Sequence, residues 1–220
     1  MKRGLFITLE GTEGSGKSTQ IRWLAERLRR EGWTTRELRE PGGTAIGEEI
    51  RHLFKHSSAG NCLTPEAELL LMNASRAQLV REVIRPALAA GEAVVCDRFH
   101  DSTVVYQGYG RQLDLATIRG VVDLAVGTTK PDLTLLLFVP IEVSEARRLR
   151  RDSELLTPAR DRMEEAGREF FERVEQGYRE LAAAESGRVR LLDATASIED
   201  VREMIWAEVS SFMVKNTSEM

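Results

Sequence analysis

Short apolar runs alternate along this chain with longer stretches in which apolar residues recur every three or four positions. The short runs are Leu5–Leu9, Thr34–Arg39, Ala93–Cys96, Leu133–Val139 and Val189–Leu192, and each reads as a strand. Helical spacing covers Ser18–Glu31, where apolar residues fall at 21, 24, 25 and 28 before Gly32 ends the pattern. It recurs at Ala45–Lys55, Thr64–Ala90, Leu115–Val126, Val143–Arg151, Arg162–Ala184 and Ile198–Phe212. Thr64 suits a helix cap, Pro65 a first turn and Gly91 a stop, while Pro86 is expected to kink or interrupt that helix. Five strands alternating with helices predict an α/β fold: a five-stranded parallel sheet covered on both faces. Ligands in such sheets bind beyond the carboxyl ends of the strands, so the residues after each strand are the place to look for chemistry.

The chain has 220 residues, 42% of them hydrophobic and 30% charged, which is enough apolar material for a core and excludes wholesale disorder. Residues 1–214 read as one domain, with a frayed polar tail at 215–220. Thirty-one Lys and Arg against 35 Asp and Glu leave a net charge of −4, which argues against non-specific nucleic-acid binding. Cys62 and Cys96 form neither a disulfide framework nor a zinc spacing, and suit a reducing compartment. The first apolar run is broken by Glu10 and is too short for a signal peptide. No run approaches the roughly 18 apolar residues of a membrane span. The expectation is a cytosolic protein with neither nucleic acid nor membrane as a partner.

Directly after the first strand stands Gly11-Thr12-Glu13-Gly14-Ser15-Gly16-Lys17-Ser18-Thr19, which fits G-x-x-x-x-G-K-[ST] between a strand and a helix. Its glycines let backbone N–H groups approach phosphate oxygens, and the helix adds its positive N-terminal end. Lys17 supplies a mobile charge for the β- and γ-phosphates, and Ser18 a hydroxyl for magnesium. The third strand run ends in Asp97-Arg98. Asp97 is placed to hold magnesium, directly or through water, although it could merely cap the next helix. Arg98 suits an enzyme that seats a second phosphate, because arginine grips phosphate bidentately.

An acceptor pocket is foreshadowed by Arg39-Glu40-Pro41-Gly42-Gly43-Thr44 after the second strand, and by Arg51 on the helix that follows. Arg76, amid Leu69-Leu70-Leu71-Met72-Asn73-Ala74, could equally pair with Glu66 or Glu68. Tyr106 and Gln107, taken alone, could be core and cap residues. Six arginines fall within 147–162. In isolation that run reads as a solvated helix face; in a phosphoryl-transfer enzyme it reads as a closing lid.

The ordered set of phosphate loop, Arg-Glu-Pro-Gly-Gly-Thr, Leu-Leu-x-x-Ala-x-Arg-Ala-Gln, Asp-Arg-Phe and Ser-Thr-x-x-Tyr-Gln-Gly resembles bacterial thymidylate kinases, from Phe6 to about Asp200. The resemblance implies the P-loop fold of nucleoside monophosphate kinases and transfer of the ATP γ-phosphate to dTMP with Mg2+. By the same resemblance Arg98 binds the dTMP phosphate with Arg51 as helper, and Arg76 hydrogen-bonds thymine. Tyr106 lies under the deoxyribose, and Glu40, Ser102, Thr103 and Gln107 line the pocket. The family usually has Phe where this chain has Met72. One subgroup carries a catalytic Arg in the phosphate loop; here Glu13 stands there, so the resemblance points to lid arginines, with Arg147, Arg151 and Arg162 as candidates. Asp193-Ala194-Thr195 is expected beside adenine, and a homodimer packed through Leu69–Met72 and Val121–Val126 is expected. Two rivals stand beside this reading: a kinase for another nucleoside monophosphate, and a nucleotide-binding switch, in which Arg98 and the lid arginines would be idle.

Overall fold

A computed structural model of the protein describes residues 4–57, 60, 62–154 and 167–217, with the side chains of 151–154 and 216–217 outside that description. Its centre is β1 (Leu5–Glu10), buried at every position. β1 pairs in parallel with β3 (Ala93–Asp97) on one side and β4 (Leu133–Phe138) on the other. β2 (Thr35–Arg39) and β5 (Val189–Asp193) complete a five-stranded parallel sheet in the order β2-β3-β1-β4-β5. The inner strands are near-continuous apolar runs because helices cover both of their faces.

Successive β1 side chains point to opposite faces and so feed two cores. Leu5, Ile7 and Leu9 pack with Leu24 and Leu28 of α1 (Lys17–Arg30) and with Val201, Ile205 and Val209 of α9 (Ile198–Thr217). Phe6 joins Leu79 of α3 (Pro65–Leu79) and Val122 of α6 (Leu115–Val126) on the other face. Each fully buried Leu contributes about 1.5–3 kcal/mol relative to exposure. A third cluster packs Phe171, Val174 and Tyr178 of α8 (Arg168–Ala184) against Leu136. α2 (Ala45–Lys55) forms where the spacing predicts it, with the Thr44 hydroxyl accepting from the Gly47 N–H at its start.

Three boundaries differ from the sequence expectation. The helix expected at 64–90 is interrupted one turn before Pro86: a π-helical turn at Val80–Ile84 separates α3 from α4 (Arg85–Ala89), and Pro86 falls in the first turn of α4. Proline has no N–H and its ring crowds the carbonyl four residues back, so the widened turn absorbs the misfit. Residues 100–110, which carry no clear apolar period, form α5 (His100–Thr103) and a π-helical segment, Val104–Gly110. Finally, α7 (Ile141–Glu154) begins two residues before the expected Val143, α8 begins at Arg168, and α9 continues past Lys215.

The chain leaves β1 for neighbours on both sides, so a crevice opens beyond the carboxyl ends of β1 and β3. The register Leu9↔Asp97 brings the end of β3 level with the start of the phosphate loop.

Candidate active site

The segment after β1 turns tightly because its glycines accept conformations closed to other residues. Gly11 has φ 138°, and a Cβ there would lie 2.3 Å from the Leu137 carbonyl oxygen. Gly16, at φ 90°, caps α1 without a side-chain hydrogen bond, so the first amides of that helix face the cleft. Lys17 is buried and curls back over the loop, donating to the Gly11 carbonyl at 3.0 Å and the Thr12 carbonyl at 2.9 Å. Burial and the nearby Arg98 charge pull its pKa down. Ser18 Oγ donates to Asp97 Oδ2 at 3.2 Å, and Asp97 Oδ1 is buried with no hydrogen-bond partner among the described residues. Two oxygens so placed, one of them unpartnered, fit a hard divalent cation.

A cleft of about 420 Å³ joins this loop to a second wall formed by Glu40, Pro41, Arg51, Met72, Arg76, Arg98, Ser102, Thr103, Tyr106 and Gln107. The acceptor-side residues from Glu40 to Gln107 to which the resemblance gives a role in binding therefore line one cavity. The structure also gives the polar ones partners. Arg76 is 2% exposed, and its guanidinium makes four hydrogen bonds inside the protein. They reach Glu40 Oε2 at 2.8 Å, Asn73 Oδ1 at 2.7 Å, Thr103 Oγ1 at 2.9 Å and the Phe99 carbonyl at 3.2 Å, and Nη2 also pairs with Glu40 Oε2 at 2.7 Å. The pairing with Glu66 or Glu68 that the sequence left open is not the one formed. Glu68, also buried, instead accepts from Gln107 and pairs with Arg111. Burial pushes Glu40 up to about 7, against the lowering effect of Arg76.

Arg98 follows β3 with φ 65°, in the left-handed region that disfavours any side chain. Its Nη2 donates to Glu13 Oε1 at 2.8 Å and to the Tyr106 hydroxyl at 3.2 Å. The phosphate loop and the acceptor wall are thus joined by an ion pair. Burial would raise the Glu13 pKa, but Lys17 and Arg98 outweigh it and hold the carboxyl well below its ordinary range. Arg51 donates to the Pro41 carbonyl at 3.0 Å, fixing α2 to the loop after β2.

Arg147 lies against the phosphate loop, donating to the carbonyls of Gly14 at 3.3 Å and Ala194 at 2.9 Å. It therefore bridges the loop and the turn after β5 and does not line the cleft. The Arg151 side chain and all of Arg162 lie outside the described residues.

A family model described as "Thymidylate kinase" matches residues 9–205. The chain is 51% identical to a thymidylate kinase of Synechococcus sp., over 93% of this chain and 94% of that one. It is 45% identical to one of Deinococcus radiodurans, over 96% and 98% of the two chains. A crystal structure of thymidylate kinase from Ehrlichia chaffeensis superposes with a TM-score of 0.74 at 30% identity, covering 94% of this chain and 99% of that one. The chain belongs to the thymidylate kinase family. Its reaction is the ATP-dependent phosphorylation of dTMP to dTDP.

For a thymidylate kinase, sequence reasoning missed three residues at this cleft. Lys55 and Phe171 line it, and Glu10 lies beneath it. Glu10 had a signal, since an acid closing an apolar strand is what drew notice to Asp97. Phe171 had none, because α8 reaches the cleft only through tertiary packing.

Proposed function

We propose that the single cleft carries both substrates, with ATP on the β1–α1 loop and dTMP against α2, α3 and the segment after β3. The observation that carries this reading is Arg98. It is a half-buried arginine across the cavity from Lys17, with its Nη2 edge held by an acid of the phosphate loop. A dTMP phosphate arriving there would meet a guanidinium already aimed, and arginine binds phosphate through two parallel N–H groups.

In this reading the backbone of Gly11–Thr19 cradles the ATP phosphates, and Lys17 leaves the loop carbonyls for the β- and γ-phosphates. Ser18 and Asp97 would hold Mg2+, which when bound offsets the charge of the triphosphate. Arg98 with Arg51 seats the dTMP phosphate. Tyr106 supports the deoxyribose, while Met72, Arg76 and Gln107, with Ser102, Thr103 and Glu40, shape the base pocket. Both N–H groups of Arg76 Nη1 already have protein partners, so that nitrogen would meet thymine only by trading one of them for it. The dTMP phosphate is a dianion near neutral pH and needs no protein base to attack. Catalysis is then positioning and electrostatics with water kept out. Arg147, Arg151 and Arg162 are the proposed lid cations, Arg147 from beside Ala194 at the adenine end.

A homodimer through α3 and α6 is supported by two large exposed apolar side chains on those packed helices, Leu70 at 58% and Leu124 at 79% exposure. A reducing, cytosolic setting suits the free thiols Cys62 and Cys96. No helix among the described residues is long and apolar enough to cross a membrane.

A coupled assay of ADP release, run with and without dTMP, tests the reaction. Release that requires dTMP, and that dAMP or dCMP does not support equally, is expected. Release independent of any acceptor would overturn it in favour of a nucleotide-binding switch.

A further inference from the structure

Arg98 is held by more than the residues that line the cleft. The Phe99 N–H donates to Glu10 Oε1 at 2.7 Å, and the Arg98 N–H to the Leu9 carbonyl at 3.0 Å. The strained residue is therefore clamped at both of its amides to the end of β1. Glu10 has no solvent exposure. Its other oxygen, Oε2, accepts from the Ser102 hydroxyl at 2.6 Å and the Tyr178 hydroxyl at 3.1 Å. Those same hydroxyl oxygens accept from Arg98 Nη1, Ser102 at 3.1 Å and Tyr178 at 3.3 Å. Both N–H groups of Nη1 thus run through a hydroxyl to one carboxylate, while Nη2 points to Glu13 and Tyr106. Neither Glu10 nor Tyr178 lines the cleft.

We propose that Glu10 and Tyr178 are positioning residues for dTMP binding, which lock the Nη1 edge of Arg98 so that its Nη2 edge can exchange the Glu13 carboxylate for the acceptor phosphate without moving the guanidinium. This rests on the reading of Arg98 given under the proposed function. The physical ground is pre-organisation. An arginine side chain has many rotamers, and freezing them when ligand arrives costs affinity. Two anchors on Nη1, with the backbone clamp, fix the guanidinium plane beforehand. The anchors spend donors that the ligand does not need and confine the exchange of Glu13 for phosphate to the opposite edge. Burial raises the Glu10 and Tyr178 pKa values. A tyrosine so perturbed keeps its proton and stays a donor to Glu10.

Tyr178→Phe tests this, because it deletes one hydroxyl and keeps the ring in its packed place. Steady-state KM for dTMP and ATP, kcat and thermal midpoint are measured for Y178F, R98K and the double variant. The expected result is a dTMP KM raised about five- to twentyfold in Y178F, an ATP KM within about twofold and a midpoint near wild type. In the R98K background, where the fork is gone, Y178F should add little further. An unchanged dTMP KM in Y178F overturns the proposal, as does an equal rise in both constants or a full additive effect on top of R98K. If R98K itself leaves the dTMP KM unchanged, the reading of Arg98 fails first, which is a separate outcome. Glu10→Gln keeps the shape of the carboxylate but supplies an amide. It should show the same selective rise, and it carries the test alone if Y178F does not fold.

Discussion

The two walls of the cleft are built in different ways. The phosphate loop is one local segment, nine residues from Gly11 to Thr19, and its donors are backbone amides set by glycine conformations. The acceptor wall is assembled from the loop after β2, two helices and the turn after β3, and its donors are side chains already paired with one another. A backbone cradle stays polar and open whether or not a ligand is bound. A side-chain wall must satisfy its buried charges within the protein, and so ties recognition to stability. Substitutions in the first region should therefore alter rate, and those in the second should also alter folding.

Arg76→Ala is expected to have the largest effect. It leaves Glu40 buried without its cation, which should cost about 3–5 kcal/mol of folding stability, read by urea denaturation. A loss of dTMP affinity with unchanged stability would break the contrast between the walls. Lys17→Ala should do the reverse. Turnover should fall about 10²–10³-fold while the melting temperature holds, because this residue's bonds go to loop carbonyls and not to a buried acid. Parallel loss of fold and activity would place Lys17 with the structural residues.

A third test uses pH. Glu40 sits at about 7 in the folded state against the ordinary carboxylate value of 4.5, so the folded protein binds its proton more tightly than the unfolded chain. The stability this contributes is fully present below about pH 4.5 and is lost as pH rises toward 7, by about 1–3 kcal/mol for this one group. Glu40→Gln should flatten that slope between pH 5 and pH 7, whatever it does to absolute stability, when denaturation is followed across that range. An identical slope in the variant would mean that Arg76 keeps Glu40 ionised throughout. The smallest effect is expected at Met72, half-buried in the base wall. Met72→Phe offers a flat face worth roughly 0.5–1.5 kcal/mol, so the dTMP KM should fall about twofold to tenfold with the ATP constant unmoved. A shift in both constants would show that the two walls are not independent at this point.

Local spacing alone carried the five strands, most of the helices and the whole phosphate loop. Each depends on residues within one or two turns of one another, and period, glycine placement and capping are properties of short segments. The acid-arginine pair at 97 and 98 was legible for the same reason. The π-helical segments at 80–84 and 104–110 were not, because widened turns follow packing and have no period of their own. Nor were the partners of the acceptor wall. Arg76 lies 36 residues from Glu40, and Arg98 lies 80 from Tyr178. Which acid meets which arginine was settled by the parallel register of β1, β2 and β3 and by the docking of α8 against the sheet. The sequence alone determined the glycine-rich loop and lysine after β1 on which the triphosphate reading rests. Tertiary structure decided how Arg98 is aimed, since only packing brings Glu10, Ser102 and Tyr178 around it.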